Sequence, residues 1–324
     1  MEMLDAARVH KLADFPGLIE ALRKAHRGGM PKHADRQIYE EPNPVGQPDI
    51  FIVLPAWEPQ EAILAKLVTS FPNNKARHGL PTVNSIYCFI DGRTGITEAI
   101  MDGEAIIFRK TSADSALGSS LLSRPDAGTL LMIGAGGLAP YTVEAHLTVR
   151  PGISRVLLWN RTKNNAGALA ARLADKGIAA EVVEDLDAAV AEADIICSAT
   201  MSTSPQIKGK LLKRGCHVDL IGSFTPQMRE ADDDVLTRAK IFVDHRQTTT
   251  RSGEFVGPFE RGVIAPADVR GDLFDLIQGK VEGRTSDADI TMMKNGGGSH
   301  LDYYVSKYLM DRHLGREFTT TCSS

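Results

Sequence analysis

The sequence predicts an α/β protein of two domains: one a doubly wound parallel sheet, the other α+β with a mostly antiparallel sheet. Three observations predict it. The chain has 324 residues, more than a single small core organises. Residues 49–110 hold short runs of β-branched and aromatic side chains broken by Pro, Gly, Asn and Asp. From residue 129 onward strand-like and helix-like segments alternate, the pattern of a parallel sheet covered on both faces.

Taken in order, residues 14–26 read as an amphipathic helix, with Leu18, Ile19, Leu22 and Ala25 at helical spacing. DIFIVLPAW, AKLVTSF, SIYCFID and AIIFRK read as strands; PNNKARHGLP reads as a loop and DGRTG as a tight turn. TSADSALGSSLLSR, from residue 111, reads as a helix with Thr111 or Ser112 as its N-cap. Beyond it TLLMIGAG, RVLLWNRT, EVVE, DIICSAT, HVDLIGS and KIFVDH are expected strands. APYTVEAHLTVR, NNAGALAARLADKG and DLDAAVAEA are the helices between them, and LDYYVSKYLMDRHL is a last helix. The expected domains are residues 1–115 with 295–324, and residues 116–294.

Composition narrows the function. The formal charge of −4 argues against a nucleic-acid binder and leaves room for a locally basic pocket. The N-terminal stretch lacks the apolar core of a signal peptide, and no apolar run approaches the length of a membrane span. Cys88, Cys197, Cys216 and Cys322 are widely spaced, with no CxxC pair, and Cys88 and Cys197 lie in apolar runs that suggest core positions. A reducing, cytoplasmic setting follows as an expectation. Nine histidines show no HxxxH or HxxE spacing, so no metal is expected. His300 is expected at the surface, and the run at 231–236 as a solvated helix start.

The strongest local signal is Gly134-Ala135-Gly136-Gly137-Leu138-Ala139, which follows an apolar strand and opens a helix. In this Rossmann-type fingerprint Gly134 permits the tight turn, Gly136 lets the backbone approach a pyrophosphate, and Ala139 keeps the helix against the sheet. The helix N-terminus offers unpaired N–H groups to phosphate. The next strand ends in Asn160, Arg161 and Thr162, where an NAD-specific site usually carries an acid for the ribose 2′-hydroxyl. An arginine there suits a 2′-phosphate, so NADPH is the expected cofactor, and NADH remains compatible with the motif. Ser198, Ala199 and Thr200, with Gly222 and Ser223, fall at strand ends, where small residues leave room for a nicotinamide ring.

Several segments together resemble the ornithine cyclodeaminase and μ-crystallin family: LPAW at 54–57, AKLVTSFPNN at 65–74, GLPTVNSIYCFIDGRTG at 79–95, KTSADSALGSSLL at 110–122, IGAGGLA at 133–139, LWNRT at 158–162, ADIICSAT at 193–200, HVDLIGSFTPQMRE at 217–230 and ITMMKNGGGSHLD at 290–302. The resemblance implies that the N-terminal half and the C-terminal helix form a substrate-binding and dimerisation domain, and that the protein is a homodimer. It implies a substrate carboxylate held by cations at Arg36, Lys66 and Lys110, with Arg109 beside the last. Lys66 stands at the family's active-site lysine, as acid, water-orienting group or carboxylate binder alone, and Asp302 is a candidate either to neutralise the cations or to serve as an acid at a helix N-terminus. Where cyclodeaminases carry an aspartate after the HVDLIG strand, this chain has Phe224, which cannot exchange a proton.

The RKTSADSALG form resembles the branch that reduces cyclic imino acids. The implied reaction is NADPH-dependent reduction of Δ1-pyrroline-2-carboxylate to L-proline, with Δ1-piperideine-2-carboxylate to L-pipecolate as a further substrate. The alternatives are ornithine cyclisation or amino-acid dehydrogenation on the same scaffold, or ligand binding without turnover. The expected partner is thus a small cyclic imino acid, with neither nucleic acid nor membrane.

Overall fold

The computed structural model describes residues 1–43, 46–249 and 251–320, so Cys322 lies outside the described residues. The chain divides into two compact units, Met1–Lys110 with Gly298–Ser324, and Thr111–Gly297. No helix among the described residues is long and apolar enough to cross a membrane.

In the first unit the described residues form one sheet of seven strands. These are β1 (Glu2–Leu4), β2 (Lys32–His33), β3 (Gln37–Glu41), β4 (Asp49–Glu58), β5 (Ala62–Ser70), β6 (Val83–Asp91) and β7 (Thr97–Asp102). The order is β1-β7-β6-β5-β4-β2, with β3 also paired to β4. β1 is parallel to β7, and the other pairs are antiparallel. Successive strand residues point to opposite faces. One face buries Ala56, Ala62, Leu64, Tyr87 and Phe89. The helix Ser299–His313 packs against β4, β5 and the helix Phe15–Arg27. Asp14 starts that second helix by accepting from Gly17 N, and Leu18, Ile19, Leu22 and Ala25 are all buried. The opposite face leaves Phe51, Ile63 and Ile86 at 40%, 37% and 42% exposure. Cys88 belongs to that outer side and is half-buried rather than a core residue.

Two expectations fail at the end of this sheet. AIIFRK is not a strand, and no helix starts at Thr111 or Ser112. One helix runs Gly103–Leu122, and Asp102 Oδ1 accepts from Ala105 N at 2.8 Å at its start. An apolar run of this length suits helix or strand equally, and the cap at Asp102 decides. Ser112 is buried and pairs with the Thr142 hydroxyl at 3.2 Å instead of capping. The Asn74–His78 segment, expected as loop, is a short helix.

The second unit is a parallel sheet of β8 (Thr129–Ile133), β9 (Arg155–Trp159), β10 (Glu181–Val182), β11 (Ile195–Ser198), β12 (His217–Leu220), β13 (Lys240–Val243), β14 (Val269–Asp272) and β15 (Thr291–Lys294). The order is β10-β9-β8-β11-β12-β15-β13-β14, and every pair is parallel. Alternate residues of a strand enter different cores: Leu131, Ile133 and Leu157 one, Leu130, Met132 and Leu158 the other. Burial on both faces explains why these strands read as continuous apolar runs. β14 and β15 were not foreseen; β15 inserts between β12 and β13.

Candidate active site

The register of the first sheet assembles an ionic cluster. Lys66 on β5 lies opposite Tyr87 on β6, so both side chains project to the buried face. Asp302 enters the same space from the first turn of the helix Ser299–His313. Its Oδ2 lies 3.6 Å from Lys66 Nζ, and its Oδ1 pairs with Lys110 Nζ. Tyr87 Oη donates to Asp302 Oδ1 at 2.7 Å, and Lys66 Nζ stands 5.3 Å from the Tyr87 ring centroid. Side-chain exposure is 12% for Lys66, 7% for Lys110 and 1% for Asp302. Two ammonium groups thus share one carboxylate in a nearly dry space, leaving one formal positive charge unmatched.

Electrostatics follow from that geometry. Burial, with the Lys110 charge, pulls the Lys66 ammonium down to about 8 against the opposing pull of Asp302. Burial works against the Asp302 charge, yet Lys110, Lys66 and the Tyr87 hydrogen bond hold its carboxyl below the usual range. Burial and the Asp302 charge push the Tyr87 phenol well up, so it stays a neutral donor. Tyr87 was missed in the sequence, where it reads as one more aromatic strand residue.

The other two expected cations have different surroundings. Arg109 follows the helix about 100° round from Lys110. Its Nε donates to His10 Nδ1 at 3.1 Å, and its guanidinium lies 4.7 Å from the Phe15 ring centroid. Arg109 thus packs on His10 and Phe15. Arg36 is exposed on the link between β2 and β3. His300, expected outside, is buried against His26 and Tyr304.

In the second unit the glycine turn follows β8. Gly134 has φ 101°, and a Cβ there would come within 2.7 Å of the Ala199 carbonyl oxygen. Beside Gly136 the space is open for 4 Å. The N–H groups of Gly136, Gly137 and Leu138 have no backbone acceptor among the described residues, and no side chain caps the helix Ala139–Val149. A diphosphate could use these groups, so the turn fits a dinucleotide. Asn160 Oδ1 accepts from Ala135 N at 3.2 Å, and Asn160 Nδ2 donates to Thr162 O at 2.9 Å. Asn160 thus braces the turn, while Arg161 and Thr162 are exposed beyond it.

The strand-end residues share a partner that the sequence does not reveal. Ser198 and Thr200 turn their hydroxyls to the buried carboxylate of Glu230, at 2.6 and 3.1 Å. Ser223 is buried, and its N–H joins those of Thr200 and Gly222 on the same carboxylate. Ala199 closes on Gly134. Their smallness serves this packing as well as space. Glu230 went unnoticed beside an acidic stretch that reads as solvated. Buried Lys294, its ammonium lowered by burial against the pull of Glu230, Glu254, Asp244 and Asp219, supplies opposite charge. Phe224 is 64% exposed.

His146, Cys197 and Asp219 place ligand-type atoms within 4.8 Å of one another. His146 Nε2 lies 3.2 Å from Cys197 Sγ and 3.7 Å from Asp219 Oδ2. Burial lowers the imidazole to about 4 and raises the Asp219 carboxyl to about 7.

One unit carries a doubly wound sheet with this turn and the other a buried cationic cluster, features of an α/β oxidoreductase that uses a nicotinamide cofactor. The chain belongs to the ornithine cyclodeaminase/mu-crystallin family, whose model matches residues 5–317. It is 43% identical over 294 residues to a Delta(1)-pyrroline-2-carboxylate reductase of Paracoccus denitrificans, covering 90% of each chain. It resembles the Thermococcus litoralis Delta(1)-pyrroline-2-carboxylate reductase solved with NADH and L-proline, at TM-score 0.89 and 27% identity, covering 99% of this chain and 100% of that one. An archaeal alanine dehydrogenase dimer with bound NAD superposes at TM-score 0.85 and 26% identity, covering 98% and 97%.

Proposed function

We propose that this protein reduces Δ1-pyrroline-2-carboxylate to L-proline, with NADPH as the preferred cofactor. One observation carries the reading: Lys66, Lys110 and Asp302 leave a single buried positive charge, which a monocarboxylate neutralises. The reductases among the relatives act on a substrate of that charge.

In this reading the substrate carboxylate is held by Lys110 and Lys66. Asp302 keeps both ammonium groups in place, and the Tyr87 hydroxyl fixes the carboxylate rotamer of Asp302. Lys66, held near 8, carries a proton at neutral pH and releases it readily, as protonation of an imine nitrogen requires. The bound reduced nicotinamide would supply the hydride that the imine carbon accepts. Its diphosphate would rest on the N–H groups of Gly136 to Leu138, and its 2′-phosphate on Arg161. Phe224 supplies no acid or base, which disfavours ammonia loss from ornithine. The outer sheet face that exposes Phe51, Ile63 and Ile86 is the proposed face for a second copy of the chain.

Purified protein given NADPH with Δ1-pyrroline-2-carboxylate, and separately with the six-membered Δ1-piperideine-2-carboxylate, tests the assignment. NADPH oxidation with formation of L-proline supports it. Ammonia release from ornithine with no imine reduction contradicts it.

A further inference from the structure

Glu230 is wholly buried and has no place in the proton transfer above. Its carboxylate accepts five hydrogen bonds. Oε1 takes Ser198 Oγ at 2.6 Å, Thr200 N at 2.7 Å and Thr200 Oγ1 at 3.1 Å. Oε2 takes Gly222 N at 2.6 Å and Ser223 N at 3.1 Å. The donors come from two segments, one leaving β11 and the other leaving β12, adjacent strands in the sheet. The segments touch directly as well: a Cβ on Gly222 would fall 2.0 Å from the Thr200 carbonyl oxygen.

The bracket is itself anchored. The Glu230 carbonyl accepts from Gln206 N at 2.8 Å and Ile207 N at 3.0 Å, and its N–H donates to Glu254 Oε1. A carboxylate so engaged has no lone pair left for acid–base work. It can, however, set the spacing of the two strand-end segments whose donors it gathers. In open parallel sheets the carboxyl ends of the strands receive the ligand.

We propose that Glu230 is a positioning residue that fixes segments 198–200 and 222–223 as the seat of the nicotinamide ring. This rests on the dinucleotide reading above and goes beyond it by separating the ring's seat from the diphosphate turn at Gly134 to Ala139. The two seats have different supports: Asn160 braces the turn, and Glu230 braces the strand ends. Loss of Glu230 acts on one and spares the other.

The test uses Glu230→Gln, which keeps shape but turns an amide toward N–H donors. Dissociation constants are measured by calorimetry for NADPH and for 2′-phospho-ADP-ribose, which lacks the nicotinamide, together with kcat and KM for imine reduction. The expected result is roughly tenfold or greater loss in NADPH affinity or in kcat, with fragment affinity held within about twofold. Should Glu230→Gln fail to fold, Ser198→Ala and Thr200→Val, which leave the carboxylate in place, are expected to show the same selectivity at smaller size. Equal loss for both ligands, or no loss for either, overturns the assignment alone. Wild-type protein that binds neither ligand overturns the dinucleotide reading, and this assignment with it.

Discussion

Lys66, Lys110 and Asp302 concentrate charge where water is nearly absent, and each residue depends on the others. Removing Asp302 leaves two ammonium groups facing each other; Asp302→Asn is expected to destabilise the fold by roughly 3–5 kcal/mol, measured by urea denaturation, with much of the loss recovered in Asp302→Asn/Lys110→Met. Recovery in the double variant is what a charge imbalance predicts; no recovery would point to packing alone. Lys66 gives a pH signature. Its proton is lost as pH rises through about 8, so kcat/KM for imine reduction is expected to fall there, and Lys66→Arg should push that limb beyond the measured range. A profile flat to pH 10 in the wild type would remove Lys66 from the proton path. Arg161→Ala is expected to raise the KM for NADPH roughly tenfold and leave that for NADH unchanged, because only the former offers a 2′-phosphate. At this scale motifs single out Lys66, Lys110, Asp302 and the glycine turn, and the structure gathers the first three into one ionic cluster. The sequence did not show Tyr87, because its role comes from lying across from Lys66, and strand register is absent from local pattern. It gave no sign that Arg109 pairs with His10, because neighbours in sequence diverge on a helix.

The elements explain which parts were legible. Strands β8, β9, β11 and β12 announce themselves because both faces are buried and the runs are apolar throughout. β15 does not, since four residues that follow a long excursion join the middle of the sheet by long-range pairing alone. The helix Gly103–Leu122 was read as strand then helix because Ala105 to Phe108 satisfies either pattern; the Asp102 hydrogen bond to Ala105 N carries the decision. The outer face of β4, β5 and β6 yields a prediction of its own. Phe51, Ile63 and Ile86 are too exposed to serve the core of their own unit. If the proposed pairing of two copies uses this face, Ile86→Lys shifts the mass from dimer to monomer in light scattering after size exclusion, with the unit still folded by circular dichroism; a wild-type monomer, or an unchanged dimer mass in the variant, contradicts the proposed face.

For the molecule as a whole, the two units divide the work. The unit Met1–Lys110 with Gly298–Ser324 holds the residues proposed to bind the carboxylate and move the proton; the unit Thr111–Gly297 holds the parallel sheet with the glycine turn. The helix Gly103–Leu122 contains the boundary, with Lys110 the last residue of one unit and Thr111 the first of the other. The central claim is that the unmatched positive charge around Lys66 selects a cyclic imine bearing a carboxylate. It is tested most directly by comparing kcat/KM for Δ1-pyrroline-2-carboxylate with that for Δ1-pyrroline, the same ring without the acid, at saturating NADPH. A preference for the carboxylate of at least roughly 30-fold, abolished in Lys66→Ala/Lys110→Met, is the result this account predicts from loss of a buried charge pair. Equal rates on the two rings would contradict it.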